Sequence, residues 1–206
     1  MTVPVDVCNY ALIRLGQDQI ISLSDGTKAA DLCDTMYPMI RDEMIRSHPW
    51  RRLKVRTTLA YQAGVTPAFP SGVYSYLLPA DLVTLLDVWN GDINVRKDCE
   101  LEAGAIITSY EGPLQVRYIR DSDDPNEWDD LMISAFSARL ALALAEPLTQ
   151  DATKVSQAAR KFDEIESRAR KVNAQEGGPT NVDRPDPWVS IRYGGSATDP
   201  TLRDIS

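Results

Sequence analysis

From Leu131 to Ala145 only Ser134, Ser137 and Arg139 interrupt a run of apolar side chains. A helix that is apolar nearly all round needs neighbours on every side, so this segment belongs at the centre of a helical bundle. The run is 15 residues long and contains Arg139, short of the roughly 20 apolar residues that cross a bilayer. Ahead of it, Asp124-Pro125-Asn126-Glu127 offers a cap, a proline at the first helical position and a glutamate at N3. That pattern predicts the helix start there. Pro147 is expected to stop it.

The next helix is expected from about Asp151 to Ala174. Val155, Ala158, Phe162, Ile165, Ala169 and Val172 recur at spacings of 3 and 4, a heptad-like seam. Lys154, Arg160, Lys161, Arg168 and Lys171 lie opposite, and Gly177-Gly178 ends the segment. The seam reads first as the chain's own core and second as an oligomer contact.

Two more helices are expected at the N-terminus. Cys8, Ala11, Leu12 and Leu15 share one helical face between Val3 and Leu15. Pro4 is tolerable in the first turn, and Gly16 stands where a left-handed cap is wanted. After a connector with Ile20, Ile21 and Leu23, Ser24 and Asp25 offer caps for a helix running to about Ser47. Its stripe is Ala29, Cys33, Met36, Tyr37, Ile40 and Met44. Pro38 should kink it, and His48-Pro49 should end it.

Between Leu53 and Arg120 the period changes. Val73–Leu78, Leu82–Trp89, Ile93–Arg96, Ala105–Tyr110 and Leu114–Ile119 are short, β-branched or aromatic runs divided by turn residues. Asn90-Gly91 suggests a hairpin in which both residues take positive φ, and Leu114, Val116 and Tyr118 alternate with polar neighbours. The predicted fold class is α+β: a bundle of about four helices from residues 1–52 and 121–178, with a small antiparallel β domain inserted at 53–120. Residues 179–206 are expected to be an extended tail, because five residues of proline or glycine from Pro185 to Pro200 forbid a helix. Trp188, Val189, Ile191 and Tyr193 cluster in that tail, and they are candidate partner-binding residues together with Arg51 and Arg52.

Ordinary globular composition (43% hydrophobic, 25% charged) excludes wholesale disorder. The net charge of −8 is uneven: 8 basic and 7 acidic residues over 1–60, 4 and 13 over 61–130, 10 and 10 over 131–206. Tight sequence-specific duplex binding wants basic density, and this distribution argues against it. No signal peptide is expected, so the chain is read as assembled in the cytosol. Cys8, Cys33 and Cys99 fit neither a disulfide framework nor a zinc cage and read as buried fillers.

Chemistry-bearing motifs are sparse. Neither a GxSxG elbow, an HExxH pair nor a Walker loop occurs. The single histidine, His48, reads as a helix C-cap or packing residue, its charge favourably placed at the negative end of the helix dipole. Asp121, Asp123, Asp124, Glu127, Asp129 and Asp130 could be a metal site, but the run lacks the glycine and distal glutamate of a calcium loop. A helix N-terminus rich in carboxylates is the simpler reading. The run His48 to Arg56 mixes aromatic and basic residues, which nucleic-acid surfaces also do. Its plainer readings are a Trp50 anchor with solvated arginines, or arginines pairing with the acidic middle of a neighbouring copy. No catalytic residue, cofactor or metal ligand is assigned.

The order of these pieces resembles the tail tubular protein A family, the head-to-tail adaptors of short-tailed bacteriophages. The resemblance is carried by Cys8-Asn9-Tyr10-Ala11-Leu12-Ile13-Arg14-Leu15-Gly16, by Ile20-Ile21-Ser22-Leu23, and by Tyr37, Arg41 and His48-Pro49-Trp50. Tyr76-Leu77-Leu78-Pro79-Ala80-Asp81, followed by Leu85-Leu86-Asp87-Val88, is similar to the family's strand–Leu-Pro–strand segment. Coverage is most of residues 5–175. The resemblance implies a non-enzymatic virion protein that forms a twelve-fold ring under the portal. The portal, the tail nozzle protein, tail fibres and further copies of the chain would be its partners, with DNA passing through the lumen unbound and no membrane involved. A head-completion or tail-terminator ring protein is the nearest alternative. A DNA-binding module using Arg51, Arg52, Lys54 and Arg56 follows, and a nuclease built on Asp121–Asp130 comes last.

Overall fold

A computed structural model describes residues 2–61 and 72–176. The proposed tail, with Trp188, Val189, Ile191 and Tyr193, lies outside the described residues, as does the Gly177-Gly178 stop. Within them the class is α+β, four helices and two small antiparallel sheets.

Helix α1 (Pro4–Leu15) buries Val7, Cys8, Ala11, Leu12 and Leu15, the face its spacing requires. The Asp6 carboxylate accepts the Val3 N–H at 2.9 Å, and Gly16 closes the helix at φ +67°. Asn9 then clamps the connector, donating to the Ile20 carbonyl and accepting the Ile20 N–H, both at 2.9 Å. This pins Ile20 into the core.

Helix α2 (Lys28–Ser47) begins later than Ser24-Asp25 suggests. The Asp25 carboxylate is taken up by its own turn, accepting the N–H groups of Ile21 and Ser22 at 2.7 and 3.1 Å. Thr27 is the cap, its hydroxyl accepting the Ala30 N–H at 3.2 Å. The helix continues through Pro38 to Ser47.

Strands β1 (Lys54–Leu59), β2 (Tyr74–Leu77), β3 (Leu82–Asn90), β4 (Ile93–Asn94), β5 (Glu100–Glu102), β6 (Ala105–Thr108) and β7 (Leu114–Arg120) follow. They form one sheet in the order β1-β7-β3-β4 and a second in the order β2-β6-β5. The β3–β4 hairpin pairs Asn90 with Ile93, so its two loop residues are Gly91 and Asp92, not Asn90 and Gly91. Only Gly91 has positive φ, +61°, which fits a type II′ turn with glycine first. Ala103 and Gly104 join β5 to β6, both with positive φ.

Helix α3 (Asp130–Thr149) also starts later than expected. Asp124 caps only a 3-10 turn at Pro125–Glu127, because the next residue, Trp128, is extended and buried in the bundle core. Asp129 caps α3 proper by accepting the Met132 N–H at 2.7 Å. Pro147 does not stop the helix. It sits in the last turn, and α3 runs on past it to Thr149 and a left-handed Gln150 at φ +50°. By length and composition α3 passes as a membrane span, but half of it is buried among its neighbours, as in the core of a bundle. Helix α4 (Ala152–Gln175) is capped by Asp151 and lays Val155, Ala158, Phe162, Ile165 and Ala169 on that same core. The seam therefore faces its own chain.

The layers explain why the β segment is more than a pendant. Adjacent residues of a strand point to opposite faces, and register shifts between Leu82 and Thr84 and between Leu85 and Asp87 reset that alternation along β3. Ile119, Val83 and Leu86 join the helical core, together with Trp50 and Leu53. Leu85, Val88, Leu114, Val116 and Tyr118 point the other way and pack with Tyr76, Cys99 and Ile106 of the second sheet region. The four-stranded sheet thus stands between the bundle and the three-stranded sheet.

Candidate interaction surfaces

The corner from His48 to Leu53 is built as a joint. Trp50 is fully buried, and its indole N–H donates to the Met44 carbonyl at 2.8 Å, satisfying an orphan acceptor at the end of α2. Asn173, near the end of α4, accepts the Arg51 N–H at 2.9 Å and reaches the His48 ring at 2.7 Å. The Asn173 amide donates to that ring, so Nε2 acts as the acceptor of a neutral imidazole. Burial lowers the His48 pKa, and the positive charges of Arg170 and Lys54 add to it. His48 is thus the C-cap of α2, as its position suggests, and it packs between two helices as a neutral acceptor. Asn173 was missed, although one amide beside Val172 in an apolar seam is a signal.

Arg51 and Arg52 do not stand free of acidic company within this chain. They share a hollow of about 560 Å³ with Trp128, Asp129, Asp130 and Glu176. Among the described residues, Arg51 Nη1 and the Trp128 indole N–H are buried without an acceptor. Lys54 lies close to Arg51 and Arg117, and burial together with those charges lowers its pKa. Trp188, Val189, Ile191 and Tyr193 lie outside the described residues.

The acidic run is dispersed into structural roles. Arg41 pairs with Asp42, Asp121 and Asp123. Glu127 is held by the Ser122 hydroxyl and by Arg120, which lower its pKa in that order. Asp124 and Asp129 cap their turns. Among the described residues, no cluster of three or more His, Cys, Asp or Glu side chains converges in a way that could hold a metal ion. All three cysteines are free and buried.

A further concave surface lies elsewhere. A hollow of about 740 Å³ opens between the end of α1, α3 and the first half of α4. Ile13, Leu15, Ala138, Ala141 and Ala158 give it an apolar floor, and Arg14, Lys154, Arg160 and Lys161 rim it against one carboxylate, Glu164. A second hollow of about 450 Å³ shares Ile13 and Arg14 and continues past Tyr10 and Ile133. The two form one furrow. Ile13 and Tyr10 are each about half exposed, unusual for large apolar side chains on a short helix with a well-buried inner face.

The three-stranded sheet exposes one large apolar side chain, Leu77, at one end of its outer face. Register places Leu77, Ala105 and Glu102 side by side in one row, and the buried Ser75, the half-buried Ile107 and Glu100 in the next. These point away from Tyr76 and Ile106, which fill the inter-sheet core. Leu77 is 58% exposed.

No protein-family model matches the chain, and no curated protein matches it. The fold and these surfaces stand on their own.

Proposed function

We propose that this chain is a structural adaptor of a bacteriophage virion, one subunit of a ring that joins the portal to the tail nozzle and leaves a passage for DNA. The observation that supports this best is where the resembling residues fall. Cys8, Ala11, Leu12, Tyr37 and Trp50 build the bundle core. Arg41 gathers the acidic junction before α3. Asp81 of the Leu-Pro-Ala-Asp turn accepts the Tyr118 hydroxyl at 3.0 Å and ties the start of β3 to β7. These residues hold the bundle and the sheets as one rigid piece, which a ring subunit bearing axial load needs. Exposed apolar surface on both helices and sheet suits a protein whose work is done by its contacts. The test is co-sedimentation of purified chain with its cognate portal ring. Co-migration supports the adaptor; a chain left in the supernatant removes it.

A second reading, a DNA-binding module using Arg51, Arg52, Lys54 and Arg56, is favoured by one observation: the turn holding Arg51 and Arg52 leads directly into β1, which opens with Lys54 and carries Arg56. Binding to duplex DNA that strengthens steeply as salt falls would select it.

A further inference from the structure

We propose that two surfaces of this chain dock on one another between neighbouring copies. The outer face of the β2-β6-β5 sheet of one copy seats in the furrow between α1, α3 and α4 of the next. The inference rests on the ring reading above and names the contact that builds the ring.

The chemistry of the two surfaces matches. The first hollow of the furrow has four cations at its rim against one carboxylate, over a floor made mostly of small side chains. Three alanines there leave depth for an inserted side chain. On the sheet, Leu77 projects beside Ala105, with Glu100 and Glu102 along the free edge strand β5. A projecting leucine edged with acid thus meets an apolar furrow edged with base. The buried apolar contact supplies affinity, and the rim charges fix orientation and speed encounter.

Geometry forces the contact to be between copies. The β1-β7-β3-β4 sheet lies between the bundle and the β2-β6-β5 sheet, so sheet face and furrow cannot meet within one chain. Because sheet face and furrow are different surfaces, the contact is head-to-tail, and repetition closes a ring when the rotation allows. The turn at the end of the sheet adds support. Ala103 holds φ +45° where glycine or asparagine is favoured, presenting a methyl group at the tip. Charged edge strands also guard sheets against strand addition, but that role is indifferent to sign, since lysines guard as well as glutamates.

The experiment exploits that difference. Full-length chain is followed by sedimentation velocity up to about 1 mM, the weak end of specific association. Wild type is expected to associate, and Glu100→Lys with Glu102→Lys to weaken it about tenfold or more. Arg160→Glu with Lys161→Glu is expected to do the same. An equimolar mixture of the two double variants regains association, because each supplies the surface the other lost. Leu77→Arg, at an exposed position, gives an independent loss. Thermal melts matching wild type show that the variants fold.

A wild type that stays monomeric throughout overturns the contact. So do reversals without effect, or a mixture that fails to regain association. Chain that associates through these faces yet ignores the portal keeps this contact and removes the adaptor reading. Chain that forms a ring on the portal despite both reversals does the opposite.

Discussion

Trp50 is the residue on which the joint between bundle and sheet depends. It is fully buried, and its indole N–H donates to the Met44 carbonyl at the end of α2. Trp50→Ala is expected to cost about 3–5 kcal/mol in urea unfolding. Trp50→Phe keeps most of the packing and loses the bond to Met44, so about 1–3 kcal/mol is expected. A Trp50→Ala protein within 1 kcal/mol of wild type, roughly the error of such a comparison, would contradict the assignment. His48 gives a prediction in pH. Its folded pKa lies below its unfolded value, so the unfolded chain binds the extra proton first. Stability from this group is complete above the unfolded pKa near 6.5 and declines as pH falls below it, levelling off under the lowered folded pKa. His48→Gln retains an acceptor for Asn173 and should flatten that part of the stability–pH curve. Carboxylate losses follow at lower pH, where Glu127, with its depressed pKa, is protonated. The position of His48 at a helix end was legible from His-Pro, but its neutral state was not. That state depends on Asn173, 125 residues away, and local sequence carries no information on such a pairing.

At the scale of elements, the ends carry the errors and the interiors do not. Helix interiors follow apolar periodicity, which is why the inner face of α1 and the seam of α4 are readable from spacing alone. Starts and stops depend on which of several competent side chains wins. Asp25 and Asp124 are both good caps, and both are consumed by turns of their own. Thr27 and Asp129 cap instead because they directly precede uninterrupted helical backbone. Strands β1 and β5 were hidden for a different reason: each is an edge strand with exposed charged residues, which blurs alternation. Two left-handed residues make the element-scale prediction. Gln150→Gly at the end of α3 should stabilise the protein by about 0.5–1 kcal/mol, read as a rise in urea midpoint without a change in slope. Ala103→Gly should relieve the β5–β6 turn by a similar amount. A fall in midpoint for either would show that the side chain makes contacts outweighing its backbone strain.

Across the whole molecule, the class was legible because the helical stretches repeat near 3.6 residues and the stretch between them near 2. The layering was less so. Nothing in a strand's alternation says which partner each face meets, and Val83 and Leu86 turn to the helices while Leu85 and Val88 turn to the second sheet. The furrow and the outer sheet face were not legible at all, since each is assembled from distant segments. The charge map does carry a prediction at this scale. The net negative charge lies between residues 61 and 130, where 13 acidic residues face 4 basic ones, so duplex DNA should show no measurable binding near physiological salt, with Kd weaker than about 10⁻⁴ M by fluorescence anisotropy. Tighter binding would move the account toward the Lys54 cluster. The most direct test is the mass of the assembly formed when excess chain is added to its cognate portal ring, measured by native mass spectrometry. The account predicts a discrete complex with one chain for each portal subunit. A portal ring that keeps its own mass, with the chain recovered unbound, would contradict it.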